Sequence, residues 1–390
     1  MSEDSQILDA ISKWLERDVR PKVRELERRD EYPEAMVEQM KAFGLFGTTI
    51  APRYGGLGLS ARTYARIVTL ISEVWIALPG AFNTHLIMAA LVERFGTEAQ
   101  KAHFLPRFAS AELCGGLALT EADGGTDLQA IRTRAVRAGD QYVINGAKTW
   151  ITNAIEGSCF ALLVKTAPDA EPRHRGMSLF LAEKGPGFRV GRRLEKLGYH
   201  GSDTAELFFK DYRVPEDRLI GGSEGHGFVQ VMAGLELGRI NVAARGVGLA
   251  NAALKDSLRY AQMRTTFGKP ITQHQTIQLK LAEMATRRSR IAAWLTRCWR
   301  GARDLHGRNT RSYRWITAAT AISAGRPRPS SAASSSTCGR ARPSTGCSSR
   351  SASSSACCSA EPGPRSGVPW GWAGFPRSHG TSLRFLKDLR

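Results

Sequence analysis

Two short stretches combine hydroxyls, glycines and an aromatic ring in patterns that suit chemistry. The first, GGLALTEADGGTDLQAIRTRA (115–135), joins an apolar run to a Thr-Glu step, a diglycine and a Thr-Asp pair. Glycines there let backbone N–H groups approach a phosphate, with Thr126 adding a hydroxyl, because successive amides bind anions without a cation. A plain surface turn has the same composition. The second, NGAKTWITNA (145–154), sets Trp150 two residues from Thr152, so strand alternation puts an aromatic face and a hydroxyl on one side. That pair suits either a stacked planar ligand or a half-buried Trp packed on its own sheet. Farther on, Glu236 and Arg239 stand three residues apart and share a face if their segment is helical; they form an ion pair or line a site. His85 and His274 read first as satisfied core or surface imidazoles. No Cys/His grouping has metal-ligand spacing, so no metal is expected.

Helices and strands must hold these residues. Residues 1–110 read as helical: Ile7, Ile11, Trp14 and Leu15 recur at helical spacing, and after Tyr32-Pro33 a helix runs through Met36, Val37, Met40 and Phe43 to Gly44. The segment APRYGGLGLS (51–60) is Gly/Pro punctuation, and helical patterns resume at Ile67, Leu70 and Ile71, then over 86–95 and 100–108. Near Cys114 the period changes to two. Residues 135–152 carry Gly139-Asp140 and Asn145-Gly146 as hairpin signals, and β-rich runs follow at 159–165, 177–182, 188–190 and 205–211. They predict a small antiparallel barrel or sandwich ending near Pro215. From His226 the helical period returns over 228–254, 258–264 and 277–295, with Ala243, Ala244, Gly246, Gly248 and Ala250 small enough for close helix contact. The expected fold class is α+β. A helical domain (1–112) precedes a β-domain (113–222), an incomplete helical bundle (223–310) and an irregular low-complexity tail (311–390).

At 390 residues and 42.6 kDa the chain exceeds one ordinary domain, and 42% hydrophobic with 23% charged residues is globular. No window has the run of apolar residues that spans a bilayer. The first twenty residues carry acids throughout and no apolar core, which points to a cytoplasmic address. A net charge of +19 suggests nucleic acid, but residues 301–390 hold 14 Lys and Arg against 3 acids, so the excess is concentrated there. That quarter has one lysine, Lys387, and its stretch 324–360 contains 13 Ser and no Leu, Ile, Val, Met, Phe, Tyr or Trp. Such a stretch buries no core, and without interleaved aromatics it makes a poor nucleic-acid surface. A nucleic-acid binder acting through the Arg-rich tail is the reading from another class, and it predicts steep salt dependence. Cys338, Cys347, Cys357 and Cys358 read as incidental thiols.

Five motifs occur in one order: LTEADGGTD, NGAKTWITN, LGYHGSDTAELFFKDYRVP (197–215), GRINVAARGVGLA (238–250) and RTTFGKPITQHQ (264–275). In that order they resemble the acyl-CoA dehydrogenase family over roughly residues 5–300. The resemblance implies a helical domain, a β-domain and a four-helix bundle, assembled as a homotetramer that is a dimer of dimers, with FAD between β-domain and bundle. It implies Leu119 and Thr120 at the flavin's pyrimidine end, and Thr126 at the cofactor or CoA phosphates. Trp150 would flank the isoalloxazine, with Ile151 beside it and Thr152 bonded to N5. Arg264, Thr266, Phe267, His274 and Gln275 would reach the FAD of a neighbouring subunit, and Glu236 and Arg239 the CoA thioester side. The implied reaction is α,β-desaturation of an acyl-CoA in lipid metabolism, and the implied electron acceptor is an electron-transfer flavoprotein. A relative with oxidase chemistry, forming hydrogen peroxide, is a neighbouring reading.

That reaction needs a carboxylate to remove the α-proton. Most members of the family carry it in a Glu-Gly-Thr segment near the C-terminus, and this sequence has none; Glu361 stands in EPGPRSG. A minority place the Glu just before the helix arginine, where Gly238 stands here. Glu236 is the remaining, weak candidate. A reading-frame change around residues 305–325 of a GC-rich gene accounts for the tail's Arg, Pro, Ala, Gly, Ser and Cys. The expected outcome is weak or absent flavin retention and negligible activity. No basic residue is singled out for a dicarboxylyl substrate.

Overall fold

A computed structural model describes residues 3–301 of the chain. The stretch 311–390, its four cysteines and Glu361 lie outside the described residues.

The N-terminal helices are α1 (Glu3–Trp14), α2 (Val23–Arg29), α3 (Glu34–Ala42), α4 (Ala61–Val74), α5 (Leu78–Phe95) and α6 (Glu98–Ala109). Local chemistry sets several of their starts. Ser60 Oγ accepts from the Thr63 N–H to begin α4, and Thr97 with Gln100 forms a reciprocal capping box at α6. Helix α5 begins eight residues before the apolar pattern suggested, because Pro79-Gly80 reads as a turn whereas Pro in a first turn favours helix. It is the hub: Phe82, Leu86, Met88 and Leu91 are wholly buried, and the helix packs on both the sheet and the first C-terminal helix.

The middle domain is one curled sheet of β1 (Gly115–Ala118), β2 (Arg134–Ala138), β3 (Gln141–Thr152), β4 (Cys159–Lys165), β5 (Met177–Glu183), β6 (Phe188–Arg193) and β7 (Thr204–Pro215). Its order is β1-β4-β2-β3-β7-β6, with β5 also on β4. Most pairs are antiparallel as expected, but β1 and β2 run parallel to β4. Strand β4 is buried on both faces. Cys159, Ala161 and Leu163 join the helical core, while Phe160, Leu162 and Val164 join a second core inside the curl. A strand sandwiched in this way reads as a continuous apolar run. Of the two hairpin signals, only Gly139-Asp140 turns the chain. Asn145-Gly146 sits in a β3 bulge, where Gly146 has φ +150° and Asn145 exchanges hydrogen bonds with Asp211 across to β7.

Helices α7 (Gly227–Met263) and α8 (Gln275–Gly301) follow, joined by a hairpin of β8 (Thr265–Thr266) and β9 (Lys269–Pro270). Helix α7 lies against α4 and α5 through Gly234, Gly238, Ala244 and Gly248. Ala243 and Ala250 are only half-buried and Gly246 faces open space, so the close contact uses part of the expected stripe and two glycines outside it. A Cβ on Gly248 would stand 2.6 Å from the Thr69 carbonyl oxygen. Gly248→Ala is therefore expected to cost about 1–3 kcal/mol of stability, read by urea denaturation, with Gly246→Ala as a tolerated control. Equal effects of the two would remove this account of the α4–α7 contact. Among the described residues the bundle consists of α7 and α8. Leu279 and Ile291 of α8 are 65% and 47% exposed, and Val242 of α7 is 62% exposed.

Candidate active site

The two motif stretches meet at one edge of the sheet. Lys148 has a wholly buried side chain; its ammonium donates to the Leu119 carbonyl at 3.1 Å and to Glu121 Oε1 at 2.7 Å. The next residue repeats the link, the Thr149 N–H donating to the Thr120 carbonyl at 2.9 Å. Glu121 in turn accepts from the Arg132 and Thr133 N–H groups and the Thr133 hydroxyl. Leu119 and Thr120 are thus fixed beside Trp150, Ile151 and Thr152 by one buried ion pair. Burial pushes Lys148 down to about 8 against the pull of Glu121. Burial raises Glu121, but Lys148 and the three donors outweigh it and leave the carboxyl below its ordinary value. Sequence reasoning passed over both residues. The available signal was a lysine inside an otherwise half-apolar strand, facing a Thr-Glu step in the neighbouring motif.

Trp150 departs from the expected geometry. Its φ is +59° and the β3–β7 register shifts between Lys148 and Ile151, so simple alternation does not relate it to Thr152. The left-handed backbone turns a large ring outward, leaving Trp150 55% exposed while Ile151 is buried and Thr152 half-buried. Beyond them Asn153, also left-handed, donates to the Ala81 carbonyl at 2.7 Å and the Gly115 carbonyl at 2.8 Å, pinning the strand end to α5 and β1. An uncovered indole on a rigid strand end, beside Thr152 and an anchored Leu119–Thr120 backbone, fits a planar ring system with polar edges. The loop holding Thr126 is exposed, closed by reciprocal Glu121–Gly124 backbone bonds, with open space beside Gly125 except for the Thr120 methyl.

On α7, Glu236 is half-buried and lies 3.9 Å from Arg94 of α5, rather than pairing with the exposed Arg239. Burial raises its carboxyl above the ordinary value, with Arg94 and Arg239 opposing. Arg264, Thr266, Phe267, His274 and Gln275 form a separate cluster at the far end of α7, roughly 38 Å along the axis from Arg239 at 1.5 Å per residue. Phe267 and Gly268 both have positive φ, the two-residue turn that favours a tight hairpin, and Phe267 is 95% exposed. Thr266 Oγ1 and His274 Nε2 are 3.0 Å apart. His85 is a core residue: it is buried between Phe46 and Phe108, bonded to the Phe108 carbonyl at 3.0 Å and pushed down to about 4 by burial. Among the described residues no His/Cys/Asp/Glu group could hold a metal, and no helix is long and apolar enough to cross a membrane.

Family models for the N-terminal, middle and C-terminal domains of acyl-CoA dehydrogenase match residues 1–112, 116–212 and 225–325. An acyl-CoA dehydrogenase of Bacillus subtilis is 38% identical over 279 residues, covering 71% of this chain and 73% of that protein. The chain belongs to the acyl-CoA dehydrogenase family. Members are FAD-dependent oxidoreductases acting on acyl-CoA. A (2S)-methylsuccinyl-CoA dehydrogenase of Cereibacter sphaeroides is also 38% identical, over 73% of this chain and 53% of its own length. Among solved structures, an acyl-CoA dehydrogenase of Geobacillus kaustophilus superposes with a TM-score of 0.75 at 34% identity, over 83% of this chain and 86% of that one. A glutaryl-CoA dehydrogenase in its glutaryl-CoA complex gives 0.71 at 32%, over 76% and 75%.

Proposed function

We propose that this chain holds FAD and an acyl-CoA thioester in the family's manner, but performs α,β-dehydrogenation poorly because its proton-abstracting carboxylate is missing. The observation that carries the binding half is the edge where Lys148 and Glu121 fix Leu119 and Thr120 beside the uncovered Trp150. FAD, when bound, supplies the acceptor for the hydrogen leaving the substrate's β-carbon. Trp150 offers the stacking face, Ile151 and Thr152 the strand edge, and Leu119 and Thr120 backbone polar groups held by their neighbours. Thr126, Glu236 and Arg239 serve the CoA side; the Arg94–Glu236 pair leaves Arg239 solvent-facing for an anionic group. Arg264, Thr266, Phe267, His274 and Gln275 stand too far along α7 to serve the same flavin, so they serve that of a second copy in a homo-oligomer. An electron-transfer flavoprotein is the acceptor this reading implies.

The domain boundaries 1–112, 113–222 and 223–310 follow the same reading, as does the reading-frame change that makes 311–390 unlike its relatives. Gel filtration of the full chain in excess FAD tests the binding half. Visible flavin absorbance is expected to travel with the protein at well under one FAD per chain, and to shift when an acyl-CoA is added. Protein emerging colourless at every FAD concentration, with no acyl-CoA binding, would end this reading.

A further inference from the structure

We propose that Arg245, with Tyr199 and Ser202, forms a subsite for a carboxylate at the far end of the acyl group, making the preferred thioester a short dicarboxylyl-CoA. The proposal rests on the acyl-CoA reading above. Arg245 is half-buried on α7 and all of its partners are neutral. Its Nε donates to Asn241 Oδ1 at 2.5 Å, one terminal nitrogen to the Tyr199 hydroxyl at 2.5 Å, and the other to the Pro79 carbonyl at a long 3.5 Å. A guanidinium carries five N–H donors, so two remain.

No carboxylate pairs with Arg245 among the described residues. Other acids face other groups: Glu73 accepts from Lys255 and Asn251, Glu27 from the Trp75 indole and the His200 N–H, and Asp203 through Oδ2 from the Ile155 and Glu156 N–H groups, with its Oδ1 unpartnered. A partly desolvated cation without a counter-ion is unfavourable, and a bidentate carboxylate relieves it.

The surroundings are built for that anion. Tyr199 is held in a left-handed conformation with its ring beneath the guanidinium, 5.5 Å from centroid to Cζ. Ser202 is 3% exposed, and its hydroxyl lies beside the Tyr199 hydroxyl, its nearest polar neighbour, without a well-formed hydrogen bond. Gly80 lets the Tyr199 hydroxyl close against α5: a Cβ there would lie 2.0 Å from the Tyr199 oxygen and 3.4 Å from Ser202 Oγ. The place is also right. Thr152 pairs in register with Thr204, two residues past Ser202, and Asn153 is bonded to Ala81, the neighbour of Gly80. The hydroxyls and the guanidinium therefore stand at the same end of the β3–β7 pair as the cofactor-side threonine.

Calorimetric titration of the full chain, in excess FAD, with glutaryl-CoA and with butyryl-CoA separates the possibilities. Glutaryl-CoA is expected to bind at least about tenfold tighter. The ratio should collapse to about one in Arg245→Met and be partly retained in Arg245→Lys. Binding of both thioesters with a wild-type ratio near one, or a ratio that survives Arg245→Met, overturns the subsite while leaving the acyl-CoA reading standing. Binding of neither thioester overturns that reading and the subsite with it. Should Arg245→Met fail to fold, Ser202→Ala decides alongside the wild-type ratio: a several-fold fall supports the subsite, and an unchanged ratio refutes it.

Discussion

Lys148→Met is expected to lower the melting temperature by about 5–8 °C, from a loss of about 3–5 kcal/mol, and to release whatever flavin the chain retains. The large value follows from asymmetry. Removing the lysine leaves Glu121, 9% exposed, as a buried carboxylate without its cation, and frees the Leu119 carbonyl at the same time. Adding Glu121→Gln removes the stranded charge while keeping an acceptor for Thr133, so the double variant should recover roughly half of the loss. The pH dependence has a definite sign. Glu121 titrates below its ordinary value in the folded chain, so its contribution is present above about pH 4.5 and is lost as pH falls through the folded value. Wild type should therefore lose stability more steeply in acid than the double variant. A Lys148→Met protein melting within about 2 °C of wild type would show that the pair does not anchor this edge.

Restoring a catalytic carboxylate is expected to raise the rate of anaerobic flavin bleaching by acyl-CoA on the order of 10²–10⁴-fold. The α-carbon of a thioester is a weak acid, and binding and orientation alone do not remove its proton. Beyond Glu283 the sequence has one glutamate, Glu361, set in a proline-rich context unlike the family's segment. The experiment compares the chain as it stands with the product of a gene carrying a single-base correction near codons 305–325. Bleaching by the uncorrected chain at the corrected chain's rate would sink the missing-base account, and failure of any single-base change to restore a Glu-Gly-Thr segment would sink the reading-frame account. Glu236→Gln tests the remaining candidate. A position on the CoA side predicts a raised KM, whereas disappearance of residual bleaching at unchanged KM would make Glu236 the base.

Much of this site was legible in sequence, for local reasons. The motifs around Leu119, Trp150, Arg239 and Arg264 are contiguous, so their residue types and order survive without any knowledge of the fold. Helix and strand periods placed the three layers because burial of one face repeats every 3.6 or 2 residues. The hairpin signal failed at Asn145-Gly146, and there and at Trp150 positive φ and register shifts interrupt the alternation on which counting depends. The incorrect expectation of a hairpin at residue 145 has that cause.

The sequence by itself determined the family, the order of helical and β layers and the absence of the usual Glu-Gly-Thr base, since each is written in contiguous residues. Only the tertiary structure decided that Lys148 meets Glu121 across 27 residues, that Glu236 meets Arg94 instead of Arg239, and that Arg245 reaches Tyr199 and Pro79 across 46 and 166 residues. Pairing and desolvation of charge depend on which surfaces the folded chain presses together, and spacing along the chain carries no record of that.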